Sequence, residues 1–294
     1  MQANLVATIR SFNRTVSQRI GALDETYLAR GRPLGEARLI FEIGPTGGAD
    51  VLALRRRLGV DSGYMSRLLR SLERQDLVEV GARREDRRSK WLRLTAKGRK
   101  EWKAYDRLSD DLAASILSGL SETQRRRLGD AMAEVERLMK AGSVTVDLEA
   151  ADSVDAVACL SQYQAELAMR FEKGFDPSQG NSLDATDVTP PAGWFVVARL
   201  AGDPIGCGAL KRLGGGEGEV KRVWVASSAR GLGVASRIME RLETIAREAG
   251  FSTVKLDTNR ALTEAHALYR KLGYREIGRY NDNPYADHFF EKGL

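Results

Sequence analysis

The stretch Glu219–Glu243, EVKRVWVASSARGLGVASRIMERLE, predicts a strand, a turn of small residues and an amphipathic helix in close succession. Val223 and Val225 alternate with Arg222 and Trp224, as side chains do along a strand. The glycines of the turn allow a backbone to approach a ligand closely. A helix that starts there presents free N–H groups and a positive dipole end, so the segment predicts a pyrophosphate cradle. Its residues are Arg230, Gly231, Leu232, Gly233, Val234 and Ala235.

Three interpretations compete for this stretch. It could be an ordinary strand–turn–helix, or a dinucleotide-binding GxGxxG fingerprint, although Ser236 stands at the third glycine and the motif comes late in the chain. The third interpretation is a resemblance. Arg230, Gly233 and Ala235 match the Arg/Gln-x-x-Gly-x-Gly/Ala pattern of the GNAT superfamily of acyl-CoA-dependent N-acetyltransferases.

A second GNAT hallmark follows the motif helix. It consists of Asn259, Ala265, Leu268, Tyr269, Lys271, Gly273 and Tyr274. The resemblance implies acetyl-CoA as cofactor and a small-molecule amine as acceptor. It also implies that Tyr269 is the general acid for the leaving thiolate, that Asn259 contacts coenzyme A, and that the backbone of Val223 and Val225 holds the pantetheine.

The general base is left open between Glu219 and a water chain. Glu219 starts the motif strand, where many GNAT proteins carry a carboxylate, and strict alternation would point it to the same side as Val223 and Val225. Further along, Asn281, Asn283 and Tyr285 could line the acceptor pocket. The same residues are turn formers, so a plain turn is the alternative.

Residues 143–294 as a whole predict an α/β domain with a mixed, mostly antiparallel sheet. The expected strands cover residues 144–148, 194–200, 205–213, 219–225, 253–257, 274–277 and 287–291. Helices are expected over residues 152–171, after the motif, and over 261–272. This order resembles the GNAT fold.

Charge separates the two halves of the 294-residue chain. Residues 1–142 carry a net charge of +9 and residues 143–294 a net charge of −3. A basic half is the one to test for nucleic acid. No apolar run is long enough to span a bilayer and no signal peptide is recognisable, which predicts a cytoplasmic protein without membrane contact. With two cysteines and two histidines, no metal site is expected.

The basic half predicts a helix-turn-helix, with helices over residues 49–58 and 62–75. The apolar residues of the second helix fall on one face. The other face carries hydroxyls and arginines suited to base edges and phosphates of double-stranded DNA. Its candidate DNA-binding residues are Ser62, Tyr64, Ser66, Arg67 and Arg70. A solvated charged face is the alternative.

A hairpin with a basic tip follows, between expected strands 77–80 and 91–94. Such a wing could reach phosphates or the minor groove. Its candidate residues are Arg84, Asp86, Arg87, Arg88 and Lys90. With the run Leu69–Val78 and the Leu94-Thr95-x-x-Gly98 exit, this region resembles the MarR family of winged-helix regulators. That resemblance implies that Arg88 enters the minor groove, oriented by Asp86.

The sequence therefore predicts two domains: a mainly α winged helix-turn-helix domain at 1–141 and a GNAT domain at 143–294. The MarR resemblance implies a homodimer formed by the first helix, expected over residues 2–30, and by the helices within residues 96–140. The predicted function is an acetyl-CoA-dependent N-acetyltransferase of a small amine fused to a DNA-binding regulator. The alternative is a regulator whose GNAT domain senses acyl-CoA or another ligand without turnover.

Overall fold

The computed structural model describes residues 2–82, 90–172, 174–177, 179 and 184–294. The chain forms two compact units, Met1–Met132 and Ala133–Leu294. This division falls inside a helix that is continuous over Glu122–Gly142. The domain ranges 1–141 and 143–294 stay a prediction.

Helices dominate the first unit. They are α1 (Gln2–Arg19), α2 (Leu34–Ile43), α3 (Val51–Leu58), α4 (Ser62–Arg74), α5 (Ala96–Ser118) and α6 (Glu122–Gly142), which continues into the second unit. Strands β1 (Ala49–Asp50), β2 (Val78–Ala82) and β3 (Lys90–Leu94) form an antiparallel sheet in the order β1-β3-β2. This is the predicted helix-turn-helix followed by a hairpin.

The first helix is shorter than predicted. It was expected to reach residue 30, but α1 ends at Arg19 because Gly21 adopts φ +64°, a left-handed conformation that closes a helix. Only a single 3₁₀ turn, Tyr27–Ala29, follows before α2. A capping box starts α6: the Ser121 N–H donates to Gln124 Oε1 at 2.9 Å, and the Gln124 N–H donates to Ser121 Oγ at 3.4 Å.

The second unit is an α/β domain. Its elements after α6 are β4 (Thr145–Glu149), α7 (Val154–Arg170), β5 (Gly193–Leu200), β6 (Asp203–Gly214), β7 (Glu217–Val225), α8 (Val234–Glu248), β8 (Thr253–Thr258), α9 (Thr263–Lys271), β9 (Arg275–Ile277) and β10 (His288–Gly293). The seven strands follow the order β4-β5-β6-β7-β8-β10-β9. Among the strands of the described residues, β7 and β8 are the one parallel pair, which confirms the predicted mixed, mostly antiparallel sheet.

A hydrophobic core covers each face of this sheet. On one face, Ile238 and Leu242 of α8 pack against strand residues such as Val196 and Leu210. On the other face, the core between α7 and the sheet contains Phe195, Val197, Cys207 and Trp224. Within the described part of the chain, no helix is both long and apolar enough to cross a membrane.

Candidate functional site

Strands β7 and β8 separate partway along the sheet. Their parallel pairing runs only from Glu217 opposite Thr253 to Val220 opposite Leu256, although β7 continues to Val225. Beyond that point the two strands border open space, because residues of both line one cavity. The paired part of the sheet thus ends at a gap that a ligand can enter.

A bulge in β7 changes which way its side chains point. Arg222 has φ +56°, and the register with β6 shifts between Cys207 and Ala209. As a result Val220, Val223 and Val225 contact the same core, while Trp224 lies in the opposite one. The expectation that Glu219 faces the same side as Val223 and Val225 is therefore wrong, because a bulge inserts an extra residue into the alternation.

A cleft of about 440 Å³ lies between β7, the start of α8 and α9. We call it the cofactor cleft, because most of the predicted cofactor residues line it. These are Val223, Val225, Arg230, Gly231, Gly233, Val234, Ala235 and Tyr269. Leu232 does not line this cleft and is buried in the α8-side core instead.

The start of α8 can bind an anion. Gly231 and Gly233 have φ +81° and +75°, conformations that residues with a Cβ rarely adopt. Gly233 is the N-cap residue of α8, and no side chain caps the helix there. The N–H groups of the first turn are therefore left for an anion such as a phosphate.

A chain of ion pairs lines the same cleft. The Glu166 carboxylate accepts hydrogen bonds from Arg230 at 2.6 Å and from Trp224 Nε1 at 2.9 Å. Arg170 lies 3.2 Å from Glu166 and also pairs with Glu264 on α9. Burial alone would raise the pKa of Glu166, but the Trp224, Arg230 and Arg170 hydrogen bonds outweigh it and hold that pKa below its usual value. Sequence reasoning missed Glu166, Arg170 and Glu264, since a helical ion pair carries no motif.

A second space, the inner cavity, opens where β7 and β8 separate. It measures about 80 Å³ and is bordered by Val220–Val223, Asp257–Asn259 and Tyr269. Aromatic side chains from α7 and two loops complete it: Tyr163, Phe171, Phe175 and Tyr285. Tyr269 and Val223 line both the inner cavity and the cofactor cleft, so the two spaces meet at these residues.

Tyr269 is suited to donate a proton at this junction. Its side chain is only 7% exposed. Burial is the main cause that raises the pKa of its hydroxyl above the ordinary value, and the neighbouring Tyr163 and Asp257 raise it further. The hydroxyl therefore keeps its proton at neutral pH.

Glu219 borders a third space, which we call the lysine cavity. This cavity of about 530 Å³ is lined by Lys211, Leu213, Glu217, Glu219, Lys221, Lys255, Tyr280 and Asn281. Glu219 is 4% exposed and lies 3.2 Å from Lys221 Nζ, and it accepts a hydrogen bond from the Tyr280 hydroxyl at 2.9 Å. The structure thus does not bring Glu219 into the same cavity as Tyr269.

Asn281 links Glu219 to a carboxylate that sequence reasoning overlooked. Its Nδ2 atom donates to Glu219 Oε1 at 3.0 Å and to Asp257 Oδ2 at 2.6 Å. Asn283 Nδ2 also donates to Asp257, at 3.1 Å. Asp257 is the single carboxylate among the described residues lining the inner cavity. The sequence does not mark Asp257 as a site residue, because an aspartate at the end of a strand is common.

The remaining predicted residues lie around the inner cavity. Asn283 and Tyr285 line it, and the segment is also a turn, since the Asn283 and Tyr285 N–H groups donate to the side chains of Asn281 and Asn283. The segment is thus a turn, and two of its residues line a cavity. Asn259 borders this cavity as well, and its Nδ2 donates to the Tyr285 carbonyl at 2.7 Å. It does not line the cofactor cleft.

In the first unit, helix α4 has the two faces that the sequence predicted. Met65, Leu68, Leu69 and Leu72 are buried, whereas Ser62, Tyr64, Ser66, Arg67 and Arg70 are exposed. The Asp61 side chain caps the helix by accepting from the Tyr64 N–H at 2.8 Å. Lys90 is exposed at the start of β3. Arg84, Asp86, Arg87 and Arg88 lie outside the described residues.

Fold and site define an acyltransferase domain that follows a winged helix, and comparison with known proteins names both families. Residues 160–274 match the acetyltransferase (GNAT) family model, and residues 30–89 match the MarR family model. The chain belongs to the GNAT family, and residues 30–89, ahead of that domain, are similar to the MarR family.

Two relatives and one solved structure align with parts of the chain. Over 123 residues the chain is 40% identical to a protein named IAA acetyltransferase from Azospirillum brasilense, covering 40% of this chain and 80% of the relative. It is 30% identical over 122 residues to the uncharacterized N-acetyltransferase YjgM of Escherichia coli, covering 40% of this chain and 73% of that protein. The solved structure of Streptococcus pneumoniae FabT in complex with DNA aligns with 47% of this chain and 95% of its own, at 23% identity and a TM-score of 0.38.

Acetyl-CoA is the cofactor of the GNAT family, and the cofactor cleft fits it. The uncapped start of α8 suits a pyrophosphate, and the edge of β7 beyond Val220 is unpaired on its β8 side and suits the amides of a pantetheine arm. When bound, acetyl-CoA supplies an acetyl group activated as a thioester.

Proposed function

We propose that the second domain transfers an acetyl group from acetyl-CoA to a small amine where the cofactor cleft meets the inner cavity. The observation that carries this proposal is that Tyr269 and Val223 line both spaces. An acceptor in the inner cavity and a thioester in the cleft would therefore meet beside a protonated tyrosine hydroxyl. Holding two reactants together in this way is a large part of catalysis.

Each residue has a proposed part in this reaction. The N–H groups at the start of α8 bind the pyrophosphate, and the backbone of Val223 and Val225 orients the pantetheine. The Tyr269 hydroxyl donates a proton to the departing thiolate. Attack requires a neutral amine. Its proton passes to Asp257 or to water, because the Asn281 amide, which donates to both Asp257 and Glu219, cannot relay it.

Thiol release from acetyl-CoA, measured across a panel of amino acids, polyamines and aminoglycosides, tests this proposal. We expect turnover on one amine class and a loss of about 10²- to 10⁴-fold in kcat for Tyr269→Phe, with coenzyme A binding kept. Tyr274→Phe is the matched control. Tyr274 is also buried and its ring lies 6.0 Å from that of Tyr269, but it lines neither space. Equal activity of both variants would contradict the role of Tyr269.

The second candidate function is that of a ligand sensor. The position of Glu219 favours it, because Lys221, Tyr280 and Asn281 already engage this carboxylate away from Tyr269. A protein that binds acetyl-CoA tightly, releases no thiol with any amine and changes its DNA affinity when acetyl-CoA binds would be such a sensor. Coupling of this kind requires different affinities in two states.

For the first domain, we propose that the exposed face of α4 contacts DNA and that the protein is a homodimer. Helix α1 supports the dimer, since Leu5, Ile9 and Phe12 are 60%, 48% and 40% exposed. A stripe of apolar side chains left in water favours association. Sedimentation of the wild type and of Ile9→Glu tests this: a dimer that dissociates in the variant supports it, and a wild-type monomer rejects it.

A further inference from the structure

Opposite charges of the inner cavity lie across the gap between β7 and β8. Arg222 lies on β7, and Asp257 lies on β8. The Arg222 guanidinium lies over the Tyr163 ring at 5.6 Å, whereas Lys221, also on β7, already pairs with Glu219 at 3.2 Å. A small ligand in this cavity is therefore placed between one cation and one anion.

Backbone geometry holds Arg222 in this place at an energetic cost. A non-glycine residue with a φ of +56° inside a strand is strained. Cys207 Sγ contacts the Arg222 carbonyl at 3.4 Å, and the bulge turns the Arg222 side chain to the cavity. Bulges that re-aim a side chain are frequent beside ligand sites. This one brings a planar, permanently charged group that matches a carboxylate.

The rest of the cavity wall is aromatic. The rings of Phe175 and Tyr285 are 5.0 Å apart, and those of Phe171 and Phe175 are 5.9 Å apart. These rings offer an apolar surface to a side chain. The volume of about 80 Å³ is several times what one water needs, which leaves room for a small ligand.

We infer that the acceptor is a neutral α-amino acid with an apolar side chain, whose carboxylate binds Arg222 and whose ammonium faces Asp257. This inference rests on the proposed function in taking the inner cavity as the acceptor site. A diamine or polyamine fits poorly, because its second charge would lie against the Arg222 cation. An acidic amino acid also fits poorly, because its side-chain carboxylate would lie at the aromatic wall and would need a cation there.

Ligand binding to the coenzyme A-bound protein tests this separately from catalysis. L-leucine, leucinamide and isoamylamine share one amine and one side chain, but only leucine has a carboxylate. Calorimetry should show leucine binding about 10- to 100-fold more tightly than either of the others, the effect of losing hydrogen bonds to a charged group. Equal affinities, tighter binding of aspartate, or no binding of leucine would overturn the inference.

Two variants assign the preference to Arg222. Arg222→Asn should remove most of the difference between leucine and isoamylamine, and asparagine tolerates a left-handed backbone. Arg275→Asn removes an exposed cation from β9 of the same sheet and should leave the difference intact. An unchanged ratio in Arg222→Asn would contradict the assignment. If that variant does not fold, the wild-type comparison of leucine with leucinamide still tests whether the carboxylate strengthens binding. Leucine binding without thiol release would reject the proposed function alone.

Discussion

At the scale of single residues, ion pairs hold three elements of the site together. Arg170 on α7 contacts Glu166 on the same helix and Glu264 on α9, and Glu166 in turn holds Arg230 ahead of α8. The Arg170 hydrogen bond is the main cause that lowers the pKa of Glu264 to about 2. Because both side chains remain partly in water, the pair adds little stability but fixes the position of α9 beside the cleft.

We predict that Glu264→Gln lowers the free energy of unfolding at pH 7 by about 1 kcal/mol or less, because Glu264 is 56% exposed. A carboxyl whose pKa is depressed in the folded state stabilises the fold above its unfolded pKa of about 4.3. That contribution is lost as the pH falls toward 2. Urea titrations should therefore show a difference between wild type and variant that shrinks between about pH 4.5 and pH 2. Glu240→Gln, at an exposed position of α8, serves as control. A difference that grows with acidity would contradict this account.

At the scale of elements, the strand β7 and the helix α8 form the site jointly. The bulge at Arg222 turns β7 so that Val223 and Val225 reach the α8 side of the sheet. The left-handed glycines then reverse the chain into α8 without covering its first N–H groups. The anion site thus depends on backbone angles that only glycine adopts easily.

A pair of glycine variants tests this dependence. Gly233 and Gly250 flank α8 at its two ends with φ of +75° and +78°, and a Cβ at either would meet nothing within 4 Å. Each change to alanine should cost about 1–2 kcal/mol in unfolding free energy from the strained backbone. Only Gly233→Ala should also weaken coenzyme A binding, because only Gly233 lines the cleft. Fluorescence or calorimetric titration measures this, and equal coenzyme A affinities would argue against the cradle.

At the scale of the whole molecule, the chain joins a basic half to a slightly acidic one, with net charges of +9 and −3. Positive charge in the half that contains the MarR match favours the proposed contact with the phosphates of DNA. The other half is slightly negative, so we propose that the anionic coenzyme A is attracted locally, by the start of α8 and by Arg230. Charge would then separate the two proposed binding activities along the chain.

We predict that DNA affinity falls steeply with salt and that Arg67→Ala lowers the slope of log K against log salt by about 1, the effect of one lost phosphate contact. Titration of a mixed-sequence duplex at several salt concentrations measures it. Arg126→Ala provides the control, because Arg126 is exposed on α6 of the same half but away from the helix-turn-helix. A slope that is the same in wild type and both variants would exclude α4 as the contact surface.

Much of this architecture could be predicted because it depends on local patterns. Apolar residues at helical spacing placed α4, and alternation placed the strands of the second half. The glycines and the helix start of the motif predicted an anion cradle, and in the structure these glycines are left-handed and no side chain caps the helix. The end of α1 was placed too late, because a lone glycine inside a helical pattern does not reveal whether it will turn left-handed.

The sequence by itself determined the GNAT family and the order of elements, because these follow from periodicity and from residue types at fixed spacing. Only the tertiary structure decided which carboxylate borders which cavity. A single bulge at Arg222 breaks the alternation of β7, so that Glu219, before the bulge, borders the lysine cavity while Val223, after it, borders the cofactor cleft. Asp257 and Tyr269 meet from β8 and α9 only through long-range packing. Strand pairing across the sheet sets such contacts, and one extra residue in a strand shifts every side chain after it.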